Sequence, residues 1–290
     1  MKSQHKHFLV CTFMMVLLSS CTDFFETTLT LDPPPFEKKL VIIAEAKAGD
    51  STIQIKITEN FGILDDKKDT MVVNPQLTFY VNSIEQTSKT YNKGLFIIKL
   101  NGPLKAGQKC DIQASHAGFK PIFATQTVPA LLQLKTLKFV ENGGITPDGD
   151  MRSKVDVSFT DLSGKDFYEV LVLTRYAKDQ PFRSTYTSVN EPGSVESVRN
   201  SGVLFGDQAF EGQDKTMSFQ FYRITEQQAI GNIQLRWRNV SESYFKYSKT
   251  ANVHFESRDN PFATPSDIFT NIEGGLGYFF LHNQRTYNVP

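Results

Sequence analysis

Between Lys39 and Val128 apolar residues recur at every second position in short runs, each bounded by turn residues. The clearest run is Thr52 to Thr58, where Ile53, Ile55 and Ile57 fall on one face and Gln54, Lys56 and Thr58 on the other. That two-residue period is the mark of a strand with one face in a core and one in water. Leu40–Ala46, Leu77–Val81, Leu95–Leu100, Cys110–Ala114 and Pro121–Val128 continue the series, with Gly49-Asp50, Asn101-Gly102 and Ala106-Gly107 as turns. The spacing of these strands suits a sandwich of immunoglobulin size.

Val128-Pro129 closes this unit and a second one opens. Its predicted strands are Leu132–Val140, Lys154–Phe159, Tyr168–Tyr176, Tyr186–Val189, Thr216–Ile224 and Asn232–Arg238, with Asn142-Gly143-Gly144 as a turn and Thr146–Asp150 as a loop. From Ser241 the period changes to three and four: Tyr244, Tyr247, Ala251 and Phe255 share a helical face, and Ser241 is placed as N-cap. A helix is therefore predicted over 241–255. Gly274, Gly275 and Gly277 mark a tight turn before a final apolar strand that closes the second unit. The expected fold is mostly β: two immunoglobulin-like β-sandwich domains in tandem, over 38–129 and 130–290.

What precedes residue 38 is of another kind. Lys2 and Lys6 introduce the apolar stretch Phe8–Leu18, which ends in Leu18-Ser19-Ser20-Cys21. At about 1.5 Å per residue that stretch is too short for a hydrocarbon core of about 30 Å. It reads as a signal peptide over 1–20 whose small residues admit a peptidase before a lipid-carrying cysteine. The mature chain is thus expected to begin at Cys21, acylated with palmitate-type chains, on a lipidated tether over 21–37. Pro33-Pro34-Pro35 stiffens that tether. Lipid on Cys21 is the anchor, and several acyl chains hold where one releases.

Composition narrows the partners. The 290 residues carry 31 basic and 31 acidic side chains, so a nucleic-acid partner has no electrostatic basis. Loss of the signal peptide removes Cys11 and lipid takes Cys21, which leaves Cys110 alone, in an alternating run where a small buried hydrophobe is expected. Stability must then come from apolar burial, for which 24 phenylalanines are ample.

Candidate chemistry is sparse. His116, His254 and His282 stand far apart with no metal-ligand spacing. Asp148-Gly149-Asp150 has the look of a calcium loop without its later acidic positions, and Asp65-Asp66 sits in a polar stretch where solvation accounts for it. Gly274-Gly275-Leu276-Gly277 has no Lys-Ser/Thr pair to make a phosphate cradle. Phe205, Phe210, Trp237 and Tyr247 are either core or a platform for sugar or peptide, with core the commoner use of such residues. No catalytic residue, metal or cofactor is expected, and the lipidation site Cys21 is the single functional residue assigned.

Several pieces in order resemble a known family: Cys21, the early strand Lys39–Ile42, Leu204–Gln213, Tyr244-Phe245-Lys246-Tyr247, Asn260-Pro261-Phe262, and Asn271-Ile272-Glu273-Gly274-Gly275-Leu276-Gly277-Tyr278-Phe279. Together they resemble the Bacteroidetes lipoproteins of domain-of-unknown-function family 4249. That resemblance implies an outer-membrane, lipid-anchored protein, commonly encoded beside a TonB-dependent transporter, with no established activity and no catalytic residues to carry over. The expected function is a non-enzymatic cell-envelope lipoprotein that partners such a transporter in nutrient uptake. A surface hydrolase built from scattered loops and a purely structural envelope protein are the alternatives, and whether the chain faces the periplasm or the cell surface is left open.

Overall fold

The computed structural model describes residues 36–62, 65, 70–145, 149–175, 177–222, 233–258, 262, 264 and 266–290. The expected signal peptide (1–20), Cys21 and nearly all of the expected tether (21–37) lie outside the described residues. The first half contributes β1 (Leu40–Lys47), β2 (Thr52–Glu59), β3 (Gln76–Val81), β4 (Ile84–Glu85), β5 (Lys89–Asn92), β6 (Leu95–Lys99), β7 (Lys109–Ser115) and β8 (Ile122–Thr127). The second half adds β9 (Leu134–Ile145), β10 (Met151–Thr160), β11 (Phe167–Thr174), β12 (Arg183–Thr185), β13 (Thr187–Val189), β14 (Val195–Glu196), β15 (Val203–Gly206), β16 (Asp214–Phe221) and β17 (Ile233–Val240). One helix among the described residues, α1 (Glu242–Arg258), and the last strand, β18 (Leu276–Asn288), complete a mostly β chain.

A ten-stranded sheet runs β14-β15-β11-β17-β18-β1-β2-β6-β5, with β12 also on β11; two four-stranded sheets run β13-β16-β10-β9 and β4-β3-β7-β8. Alternation decides which face of the long sheet each small sheet covers. Leu40, Ile42, Ala44 and Ala46 of β1, with Phe279 and Leu281 of β18, enter one core with Phe79 of β3 and Ile112 of β7. Tyr168 and Val170 of β11, with Leu235 and Trp237 of β17, enter a second core with Phe159 of β10 and Phe219 of β16. Register places Trp237 opposite Arg285 and Leu235 opposite Tyr287, two-residue steps along β18 from Phe279 and Leu281. Both cores therefore lie against the same face of the long sheet. The intervening β-residues of that sheet point to its reverse face, where α1 lays Tyr244 against Phe167, Val240 and Phe280.

The final strand does more than finish the second half. β18 is antiparallel to β17 and parallel to β1, seven consecutive partners from Val41↔Leu276 to Lys47↔His282. Its start explains the glycines: a Cβ on Gly277 would stand 1.9 Å from the Ile42 carbonyl oxygen, and one on Gly275 2.7 Å from that of Leu40. Gly277 also holds φ +91, open to glycine at little cost. Asn271 mimics a neighbouring strand, its Nδ2 donating to the Phe279 carbonyl (2.7 Å) while its Oδ1 accepts from the Phe279 amide (3.0 Å).

Two local expectations change. Asn142-Gly143-Gly144 is not a turn but the far end of β9, where the register with β10 shifts between Arg152 and Lys154. Asn142 takes φ 49 there and a Cβ on Gly143 would meet Val140 at 2.6 Å, so these residues form an irregularity within a strand. The helix extends to Arg258, and Phe255, assigned to its inner face, is 46% exposed; Tyr244, Ser248 and Ala251 are the residues it buries. Ser241 caps it as expected, its Oγ accepting from the Tyr244 amide at 3.3 Å.

Candidate functional site

β11 is buried on both faces along all eight residues, because the second core lies on one side and α1 with the 196–202 segment on the other. Glu169 falls on the reverse face within this apolar strand, opposite Arg238 of β17 in the ladder. The two are ion-paired, and Arg238 Nη2 reaches on to Glu45 Oε1 of β1 at 2.7 Å. Glu45 is shared, since its Oε2 accepts from Arg199 Nη1 at 2.7 Å. Glu169 Oε1 accepts in turn from the Tyr244 hydroxyl (2.8 Å) and Ser197 Oγ (2.5 Å). One polar cluster thus ties β1, β11, β17, α1 and the segment after β14.

Electrostatics follow from this burial. Desolvation opposes the charge on Glu45, but Arg238 and Arg199 outweigh it and hold the carboxyl below its ordinary value. Burial works against Arg238 also, and Glu169, Tyr244 and Glu45 more than restore its charge. For His282 the balance goes the other way: burial, then Arg238, outweigh Glu45 and Gln284 and push its imidazole down to about 3. At neutral pH it is uncharged, so its Nδ1 lies 3.4 Å from Glu45 Oε1 as a polar contact rather than an ion pair. The burial of Tyr244 and its proximity to Glu169 raise its phenol well above the ordinary range, which keeps it a donor.

Beside the pairs opens a cleft of about 220 Å³ bounded by Glu45, Arg199, Asn200, Arg236, Arg238 and His282. Arg236 precedes Arg238 by one two-residue step on the same strand face. Its Nε reaches Thr286 Oγ1 at 3.4 Å, and among the described residues it has no ion-pair partner.

The residues singled out from the sequence are not gathered here. Of the three histidines only His282 reaches the cluster; His254 Nδ1 bonds the Ser266 carbonyl oxygen (2.7 Å), and His116 lies against Phe119. Among the described residues no group of three or more His, Cys, Asp or Glu is arranged for a metal. Asp65 closes a turn by accepting from the Gly62 amide at 2.7 Å, while Asp66 and Asp148 lie outside the described residues, as does Cys21. Phe205, Phe210 and Trp237 form the second core with Phe159, Phe219 and Tyr168, Trp237 meeting Phe219 edge-on at 6.0 Å; Tyr247 packs on Tyr278 and Phe280 beside α1. Cys110 is fully buried, and burial with the neighbouring Asp111 pushes its thiol up to about 12.

Sequence reasoning missed Glu45, Glu169, Arg199, Arg236 and Arg238. A signal was available for three of them: a lone carboxylate in Phe167–Thr174, and two arginines flanking Trp237 in a strand. Buried charge in such a run calls for a partner.

A family model described as "Domain of unknown function (DUF4249)" matches residues 26–288. No curated protein matches the chain. Among solved structures, the adhesin InvE of Yersinia pseudotuberculosis is similar at 18% identity and a TM-score of 0.20. That match covers 71% of this chain and 55% of the adhesin, so the chain spans about half the length of that protein, and no shared architecture follows from it.

Proposed function

Since this chain belongs to the DUF4249 family over nearly its whole length, we propose that it is a non-enzymatic, lipid-anchored protein of the outer membrane. Cys21 carries the lipid, and the folded body serves a TonB-dependent transporter as an accessory in nutrient uptake. The two cores on one face of the long sheet are read as two immunoglobulin-like sandwich halves that share that sheet.

The observation that carries the reading is the place of β1, the first element after the tether. It is an interior strand, hydrogen-bonded to β18 on one side and β2 on the other, and Glu45 is gripped by Arg199 and Arg238. Tension from a lipid at the amino terminus would enter the sheet at its middle. To extract β1, such a load must break two ladders and a buried ion pair together, whereas an edge strand would peel away one bond at a time. A body anchored by its first residues benefits from such a joint.

The test is fractionation of wild type and Cys21→Ala after a high-salt wash, followed by detergent extraction and affinity capture of the tagged wild type. The wild type is expected in the membrane pellet, together with a TonB-dependent transporter on capture, and the variant in the supernatant. A Cys21→Ala chain that still pellets overturns the anchor; repeated recovery of the wild type alone overturns the partnership.

A further inference from the structure

We infer that the cleft on the reverse face of the long sheet, between β17, β18 and the Arg199-Asn200 segment, is a binding site for an oxyanion, the carboxylate or phosphate group of a small ligand.

Charge balance is the first ground. Three guanidinium groups, Arg199, Arg236 and Arg238, border the cleft. The cluster holds two carboxylates, and both are committed: Glu169 to Arg238, Tyr244 and Ser197, and Glu45 to Arg238 and Arg199. Arg236 is left with one long contact to a hydroxyl. Burial and the like charge of Arg238 disfavour its charged form and outweigh the attraction of Glu169. A structural ion-pair network has no use for a third, repelled arginine, since a half-buried cation without a counter-charge lowers stability.

Unused donors are the second ground. Arg238 is nearly sealed from solvent, yet its Nε has no hydrogen-bond partner among the described residues, and Nδ1 of His282 has only the 3.4 Å contact with Glu45 Oε1. Both side chains border the cleft, and the Gln284 amide lies there too, directly across the ladder from Arg238. A guanidinium fork matches the two oxygens of a carboxylate or phosphate, and charge-assisted bonds of this kind are the strong ones. One bound monoanion would neutralise the surplus cation and supply acceptors to these donors. The cleft volume of about 220 Å³ limits the site to a small group rather than a polymer. The inference does not depend on where the chain resides or what it partners.

The test uses the detergent-solubilised full chain, titrated with sodium phosphate and, separately, sodium succinate, each against sodium chloride of equal ionic strength. Calorimetry and thermal unfolding are the readouts. A saturable heat and a saturable rise in Tm are expected with at least one probe. Response to phosphate alone assigns a phosphate ligand, to succinate alone a carboxylate ligand, and to both a general oxyanion site. Arg236→Gln is expected to weaken the apparent affinity by about ten-fold or more, as loss of a charge-assisted contact should. Without ligand its Tm should equal or exceed wild type, because repulsion from Arg238 is gone. Gln284→Ala should weaken binding less, and Lys105→Gln, exposed in the first half, should leave it unchanged. Absence of a saturable response to either anion overturns the inference, as does undiminished binding by both Arg236→Gln and Gln284→Ala.

Discussion

Glu169 on β11 and Arg238 on β17 stand opposite each other on one rung of an antiparallel ladder, their side chains 0% and 6% exposed, and form an ion pair on the face that α1 covers. A pair so buried says little about net stability when intact, because desolvation offsets much of the attraction. Breaking it is another matter, since the survivor is left charged and dry.

Glu169→Gln should therefore destabilise the fold by about 3–5 kcal/mol, a fall in Tm of roughly 10 °C for a chain of this size. The double variant Glu169→Leu with Arg238→Met should recover much of that loss, with Glu45 still satisfied by Arg199. Thermal and urea unfolding of the three proteins decide the point. A single variant within about 1 kcal/mol of wild type would show that the pair is open to water.

Gly277→Ala should prevent the native fold from accumulating. The added methyl would overlap the Ile42 carbonyl oxygen at 1.9 Å, and backbone cannot swing aside as a side-chain tip can. The left-handed φ adds strain. Gly212→Ala is the control: its φ is +66, but nothing stands within 4 Å of the new Cβ, so the expected cost is only about 1 kcal/mol. Soluble yield and circular dichroism of the two variants measure the difference, and equal behaviour would show that β18 does not abut β1 so closely.

Asp166 gives the pH prediction. Burial, then the charges of Asp161 and Asp207, push its carboxyl up to about 6. The folded state thus holds this proton more tightly than the unfolded chain, whose ordinary value is about 3.9. Stability from this group is full below that value, declines as pH rises to about 6, and stays lost above it. Asp166→Asn should raise Tm at pH 7.5 by a few degrees, about 1 kcal/mol once screening of this half-exposed group is allowed for, and the gain should vanish near pH 4. The backbone bonds to Asp207 survive the change. A Tm difference independent of pH would contradict the sign argued here.

Much of this fold is legible where one face is dry and the other wet. Ile53, Ile55 and Ile57 announce β2, and Cys110, Ile112 and Ala114 announce β7, because the alternation is a direct image of burial. Short elements carry too few positions for a period: β12, β14 and β15 span two to four residues each and exist because β11 and β15 offer them an edge. In α1 the expected face included Phe255, which is exposed, whereas Ser248 took an inner position that no hydropathy reading assigns to serine. The polar cluster was hidden for a different reason. Glu45, Glu169, Arg199, Arg238 and His282 are drawn from across the chain, and no local spacing records a meeting made by sheet order.

The pairing of β1 with β18 joins Val41 to Leu276. The partner of β1 lies far along the chain, so until β18 docks β1 has one unsatisfied edge and an incomplete core beneath it. Closure of so long a loop makes folding slow and leaves a sticky nascent intermediate. Deletion of Leu276–Asn288 would therefore strip a central strand rather than a tail.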